Sequence, residues 1–162
     1  MLERAIAGHP AFAVHRVDVE RAGPSYTVDT LALLRAELGA AGAAAHDPRT
    51  RWDDAGRREL VFVLGADAAR DLPRWRDPVG IARLARLAVL SRPGHAIDVE
   101  ALTLAVPALS GRIEVLPERQ IAISATEIRQ RVAENRSIRY LVPDAVRAYI
   151  DEHRLYARGA GP

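Results

Sequence analysis

The 162-residue sequence predicts an α/β domain with a mainly parallel sheet. Three observations carry that expectation. Short apolar runs recur at Leu60–Leu64, Leu87–Leu90 and Arg112–Leu116. Between and after them stand helix-start signals, at Asp77-Pro78, Ser124-x-x-Glu127 and Pro143-Asp144. Gly and Pro punctuate the junctions, as in alternating strand–helix units.

Met1–Gly8 reads as the end of a helix, with Leu2, Ala5 and Ile6 on one face. Phe12–Val19 reads as a strand from the alternation of Val17 and Val19. Gly23-Pro24-Ser25 breaks it, and Ser25 is the expected N-cap of a helix carrying Val28, Leu31, Leu34 and Leu38. Gly39 is the expected end of that helix. Residues 39–58, rich in Ala, Gly, Asp and Arg, read as a mobile loop with Trp52 folded back on the surface. Leu60–Leu64, apolar on both faces and closed by Gly65, reads as a buried parallel strand. Asp77-Pro78 opens a helix with Ile81, Leu84 and Ala85 as its stripe. Leu87–Leu90 is a second buried strand, closed by Ser91-Arg92-Pro93-Gly94, and Arg112–Leu116 a third. Ser124 caps a helix through Ile128 and Val132, and a last helix presents Val146, Tyr149 and Ile150 on one face. Residues 1–156 are expected to form one domain, with a disordered tail at 157–162.

Composition narrows the function classes. Hydrophobic residues make up 49% and charged residues 27%, ordinary values for a globular chain. Net charge is +2, and the sequence pI of about 9.5 reflects that small excess. No lysine occurs, so all 23 Lys/Arg residues are arginine. Codon bias in a GC-rich genome accounts for this, although the guanidinium fork also suits phosphate. The absence of cysteine excludes disulfides and thiolate metal sites. No apolar run reaches membrane-spanning length and no signal-peptide layout opens the chain, so a cytoplasmic location is expected. The histidines, His9, His15, His46, His95 and His153, show no metal-binding spacing, and no Gly-x-Gly-x-x-Gly or Walker loop occurs.

In parallel sheets ligands sit beyond the carboxyl ends of the strands. That rule places Gly65–Trp75, Ser91–Gly94 and Ile123–Thr126 on one rim. At Ser124–Arg129 a helix N-terminus offers N–H groups and a positive dipole end, with two hydroxyls and an arginine one turn on. An ordinary capped helix explains the same spacing. Asp67, just past a strand end, suits ribose hydroxyls or a simple turn. Trp75 suits ring stacking or the core. Gly23–Thr27 offers backbone N–H groups to a carboxylate, or merely starts a helix.

The order of these pieces is more specific than any one of them. Gly23-Pro24-Ser25-Tyr26-Thr27-Val28-Asp29-Thr30-Leu31, then Phe62–Asp67 with Leu72-Pro73-Arg74-Trp75, Arg92-Pro93-Gly94, Ile123–Arg129, and Tyr140–Pro143 through Leu155-Tyr156 resemble the bacterial nicotinate-mononucleotide adenylyltransferase family. The likeness covers nearly the whole chain outside 39–58. It implies a Rossmann-like nucleotidyltransferase fold and transfer of AMP from ATP to nicotinate mononucleotide, giving nicotinate adenine dinucleotide and pyrophosphate, within NAD biosynthesis. It implies that Ser124, Thr126, Arg129 and Arg92 hold ATP phosphates. It further implies that Gly65 and Asp67 bind the mononucleotide, Asp67 at its ribose, that Trp75 stacks on the pyridine ring, and that backbone N–H groups near Thr27 and Arg76 take the nicotinate carboxylate. Mg²⁺ is expected with ATP, and small molecules rather than nucleic acid or membrane are the expected partners, with self-association left open.

Members of the family open with a first strand and a histidine-bearing Gly-Gly-Thr-Phe-Asp-Pro segment whose counterpart does not occur in these 162 residues. The resemblance therefore assigns no catalytic residue here and implies that a strand–helix–strand unit, about 30 residues, is lacking, as in a fragment or a late-called start. On that expectation the chain alone lacks useful turnover. Two alternatives remain: an adenylyltransferase for another phosphate acceptor, such as pantetheine phosphate, and a non-catalytic nucleotide- or nucleic-acid-binding module.

Overall fold

The computed structural model describes residues 1–40, 59–91, 97–117 and 123–157. In chain order the elements are α1 (Leu2–Ile6), α2 (Val17–Glu20), α3 (Thr27–Ala40), β1 (Leu60–Gly65), α4 (Ala66–Asp71), a 3₁₀ turn (Leu72–Arg74), α5 (Pro78–Leu84), β2 (Ala85–Ser91), α6 (Val99–Ala105), a second 3₁₀ turn (Pro107–Leu109), β3 (Ile113–Pro117), α7 (Ala125–Ala133) and α8 (Asp144–Glu152). They fall into two compact units, one of residues 16–120 and one of residues 1–15 with 121–162.

The larger unit holds the sheet. Among the described residues it has three strands in the order β1-β2-β3, all parallel, with Leu60 opposite Ala85, Gly65 opposite Leu90 and Leu87 opposite Ile113. The expected α/β class is what forms. Parallel neighbours require a crossover between them, supplied by α4 and α5 before β2 and by α6 before β3. Side chains alternate across each strand. Leu60, Phe62 and Leu64 of β1 join Ala85, Leu87 and Val89 of β2 and Ile113 of β3 in one apolar cluster. Leu31 of α3, Ile81 of α5, Leu102 of α6 and Leu109 complete it. Ala66, Ala69 and Ala82 have no exposed surface, so the crossover helices come close to the sheet through side chains one carbon long.

The opposite face departs from expectation. Burial on both faces was read from the unbroken apolar run, yet Val61 and Val63 are 39% and 56% exposed and Leu90 is 37% exposed. An apolar run records which residues the strand carries, whereas burial needs an element stacked on each side. The unit's apolar cluster gathers on the Leu60, Phe62 and Leu64 side.

The segment 12–19 also departs. It forms no strand. Val19 and Glu20 donate backbone bonds back to Arg16 at 2.9 and 3.0 Å, winding α2, and Phe12 and Val19 stay exposed. Asp18 lies between the two valines and engages hydroxyls beyond the turn. That local side-chain bonding outweighs a two-residue alternation. Helix α3 runs through Gly39 to Ala40, so Gly39 does not end it; the rest of the expected loop, with Trp52, lies outside the described residues. Asp77 behaves as expected, accepting from the Gly80 N–H at 2.8 Å to cap α5. A methyl group on Gly80 would lie 2.7 Å from the Asp77 Cγ, so the cap itself requires glycine there.

In the smaller unit, Ile128, Val146 and Ile150 pack with Ile138, and α1 lies against α8. Helices α7 and α8 end in the same way. Arg136 donates to the Arg131 carbonyl at 2.7 Å and Asn135 to Val132 at 3.0 Å; Leu155 donates to Ile150 at 3.0 Å and Arg154 to Asp151 at 3.2 Å. These are paired Schellman bonds with a left-handed residue at the turn, Asn135 at φ 54° and Arg154 at φ 49°. Asparagine tolerates that conformation; arginine is strained in it.

Two stability outcomes follow from this packing. Leu87 is fully buried at the centre of the sheet, so Leu87→Ala lowers the unfolding free energy by about 3 kcal/mol, read from a denaturant midpoint. Arg154→Gly relieves the left-handed strain and raises stability by about 0.5 kcal/mol, after the extra freedom of glycine in the unfolded chain is subtracted.

Candidate functional site

A cavity of about 300 Å³ opens in the larger unit, lined by Ser25, Tyr26, Thr27, Arg74, Trp75, Arg76 and Ile81. Three stretches of chain build it. The first is the junction before α3, which turns at Gly23 with φ 88°, a left-handed value that suits glycine. The second is the end of the crossover after α4, where Trp75 donates its backbone N–H to Leu72 at 3.0 Å. The third is α5, through Ile81. Helices α3 and α5 pack together, and Arg35 of α3 donates to the Leu84 carbonyl at the end of α5 at 2.8 Å.

Trp75 is half-buried. Its indole meets the Phe62 ring edge-on, with centroids 6.2 Å apart and planes at 61°. It joins the apolar cluster on one side and lines the cavity on the other. The core and ring-stacking readings therefore describe one residue that anchors in the first and offers surface for the second. The Arg76 guanidinium sits 4.5 Å from the Tyr26 ring centroid. It also stands 3.9 Å from Asp29, a carboxylate that Arg21 approaches to 3.7 Å. Arg74 pairs with Asp71 at 3.6 Å and is 86% exposed.

The junction is braced from below. Asp18 accepts hydrogen bonds from the Ser25 and Thr30 hydroxyls, and Arg21 donates to Ser25 Oγ at 3.3 Å. Ser25 therefore does not cap α3 as expected. Its hydroxyl is given to Asp18, and the first helical bonds run to the Tyr26 carbonyl. The two hydroxyl bonds, Ser25 first, hold the Asp18 carboxyl below its ordinary range against a small opposing effect of desolvation, and Arg21 adds to the lowering.

Of the residues anticipated for the mononucleotide, Thr27, Trp75 and Arg76 line this one cavity. Gly65 and Asp67 do not line it. Gly65 ends β1 with ordinary extended backbone and open space where a Cβ would stand, so nothing steric demands glycine there. Asp67 opens α4, 65% exposed and 3.9 Å from Arg70. Among the phosphate candidates, Arg92 lies outside the described residues. In the smaller unit Ser124 caps α7, accepting from the Glu127 N–H at 3.0 Å, as expected of the capping motif. The reciprocal half is absent, because Glu127 pairs with Arg131 at 2.8 Å. The N–H groups of Ala125 and Thr126 have no partner within the helix, and Arg129 folds back to within 3.4 Å of the Thr126 hydroxyl. Two hydroxyls, a guanidinium and a positive helix end thus converge on one turn.

Ser25, Tyr26, Arg74 and Ile81 line the cavity without having been assigned a role from sequence, and Asp18 and Asp29 brace it. Ser25 and Tyr26 lay inside a motif already singled out. The Tyr26–Arg76 stack joins positions 50 apart, and nothing in the local sequence signals it.

The parallel sheet with its helical crossovers is the fold of a Rossmann-like nucleotidyltransferase. Among solved structures it is similar to Plasmodium falciparum nicotinic acid mononucleotide adenylyltransferase complexed with APC, with a TM-score of 0.53 at 17% identity over 83% of this chain and 60% of that one. A structure of the same protein complexed with NaAD matches with a TM-score of 0.52. No family model matches the chain. Curated relatives do. Proteins named probable nicotinate-nucleotide adenylyltransferase from Thermomicrobium roseum and a Roseiflexus species are 46% and 45% identical over 156 residues, 96% of this chain. The chain belongs to the nicotinate-nucleotide adenylyltransferase family. It spans 65% and 69% of the lengths of those two relatives.

The bracing by Asp18 has a pH signature. A carboxyl lowered in the folded state stabilises the fold above its unfolded value, and that contribution is lost as pH falls through the folded value. Asp18→Asn is therefore expected to melt below the wild type at pH 7. The gap should close as pH falls below the ordinary carboxylate range near 4, when melting temperatures of the two proteins are compared between pH 7 and pH 3.

Proposed function

We propose that this chain carries the substrate-recognition surface of an enzyme that transfers AMP from ATP to nicotinate mononucleotide in NAD biosynthesis. The observation that carries the reading is the cavity in which Trp75 and the Ser25–Thr27 junction meet. It offers a flat indole and backbone N–H groups beside a helix start within about 300 Å³, a volume suited to a pyridine nucleotide.

In this reading Trp75 stacks on the pyridine ring, and the backbone N–H groups near Thr27 and Arg76 take its carboxylate. Gly65 and Asp67, at the carboxyl end of β1, contact the ribose. Ser124, Thr126 and Arg129, with Arg92, take ATP phosphates, since a helix N-terminus favours an anion. The mononucleotide phosphate oxygen attacks the α-phosphorus of ATP. The bond from that phosphorus to the bridging oxygen breaks, pyrophosphate leaves, and nicotinate adenine dinucleotide forms. No covalent enzyme intermediate is required, and the work is positioning and charge stabilisation. Mg²⁺ would enter with ATP as part of the substrate and would offset the phosphate charge. In this reading the enzyme works in the cytoplasm. Among the described residues no helix is long and apolar enough to cross a membrane.

Calorimetric titration of the 162-residue chain with nicotinate mononucleotide tests the reading. Saturable binding is expected, with Trp75→Ala weakening it about tenfold through loss of ring stacking. Pantetheine phosphate should not compete. Equal affinity for pantetheine phosphate, or a Trp75→Ala protein that binds as well as the wild type, would overturn it.

A further inference from the structure

The charges of the cavity are all of one sign. Arg74 and Arg76 line it, and among the described residues no carboxylate does. The two arginines are not equivalent. Arg74 is 86% exposed and turned to Asp71, whereas Arg76 is held over the Tyr26 ring, itself a cavity wall. A guanidinium stacked on an aromatic face keeps its in-plane N–H groups free for a planar, bidentate anion. The counter-charge does not occupy them fully. Asp29 stands 3.9 Å away, beyond hydrogen-bond reach, and is shared with Arg21.

From this geometry we infer that the Arg76 side chain is a specificity-determining group, reading the charge of the substituent on the bound ring and so separating the acid mononucleotide from its amide. Tyr26 and Asp29 act as positioning residues that keep the guanidinium at the cavity mouth. The inference rests on the mononucleotide reading above and adds a side-chain charge to the backbone N–H groups assigned there. The two devices differ in a measurable way. Backbone dipoles read a carboxylate at short range with little dependence on salt. A guanidinium that is 58% exposed reads it through a field that dissolved ions screen.

The test compares binding of nicotinate mononucleotide and nicotinamide mononucleotide to the full chain by calorimetry at low and high ionic strength. The wild type should prefer the acid, and the preference should shrink as salt rises. Arg76→Ala should lower the acid-to-amide affinity ratio about fivefold, the scale of an exposed charge interaction, with the loss falling on acid binding. The remaining ratio should no longer respond to salt. Arg76→Lys should recover part of the ratio, and Arg74→Ala should not alter it. The inference is overturned if Arg76→Ala keeps the wild-type ratio, if it weakens acid and amide alike, or if Arg74→Ala has the effect instead. A wild type that binds neither mononucleotide defeats the pocket reading and this inference together. A wild type that binds both, with Trp75→Ala weakening each, but without preference for the acid, defeats this inference alone.

Discussion

The parallel pairing of β1 with β2, Leu60 to Gly65 against Ala85 to Leu90, governs the rest of the larger unit. A parallel neighbour cannot be reached by a tight turn, so the chain must travel back along the sheet before β2 begins. That return path is α4, the Leu72–Arg74 turn and α5. It has to lie close to the sheet, which the fully buried Ala66, Ala69 and Ala82 allow. The bend in the path, between α4 and α5, is where Trp75 and Arg76 stand. Helix α3 packs on α5 and delivers the Ser25–Thr27 junction to the same place. The cavity is thus a consequence of how a parallel pair closes its connection, and its lining residues come from segments 50 positions apart.

Two different forces hold that cavity. Apolar burial fixes its floor, through Ile81 and the Phe62 edge of Trp75. Its mouth is held by half-exposed charges and hydroxyls: Asp18 with Ser25 and Thr30, Arg21 between Asp18 and Asp29, and Asp29 toward Arg76. Unit charges about 4 Å apart interact by only about 1 kcal/mol in water, so no single pair in this chain fixes the mouth rigidly. A floor that resists deformation with a mouth that re-pairs cheaply suits a pocket that must admit and release a charged ligand.

The parts of the fold legible in the sequence are those decided by neighbours close in the chain. The three sheet strands, the Asp77 cap and the Ser124 cap were all readable, because a short apolar run or a side chain three residues from its N–H partner is enough to specify them. Phe12–Val19 misled because alternation over two valines is weak, and Asp18 found partners seven and twelve residues away that the pattern could not show. Ser25 misled for the same reason from the other side. The partial exposure of the outer face at Val61 and Val63 was invisible, since an apolar run looks the same whether one face or both are covered. Of the site, Trp75 and Thr27 were named as separate fragments of a motif. That they share one cavity with Tyr26 and Arg76 depends on α3 packing on α5, a contact between distant stretches.

The site residues also divide by how they could bind an anion, and the division follows from local backbone. At α7 the cap by Ser124 uses one of the free N–H groups and leaves its neighbours, so the helix end can meet an anion with dipoles that are already oriented. Fixed dipoles of that kind suit a phosphate, which carries charge in every substrate of the proposed reaction and needs no discrimination. In the proposed reading the cavity of the larger unit must choose between an acid and an amide of nearly the same shape. Shape hardly separates them, and hydrogen-bond donors do so only in part, since a carboxylate accepts at two oxygens and an amide at one. A group that senses net charge adds to that discrimination. Arg76, stacked on Tyr26 and loosely paired with Asp29, is the residue in that cavity placed to do so.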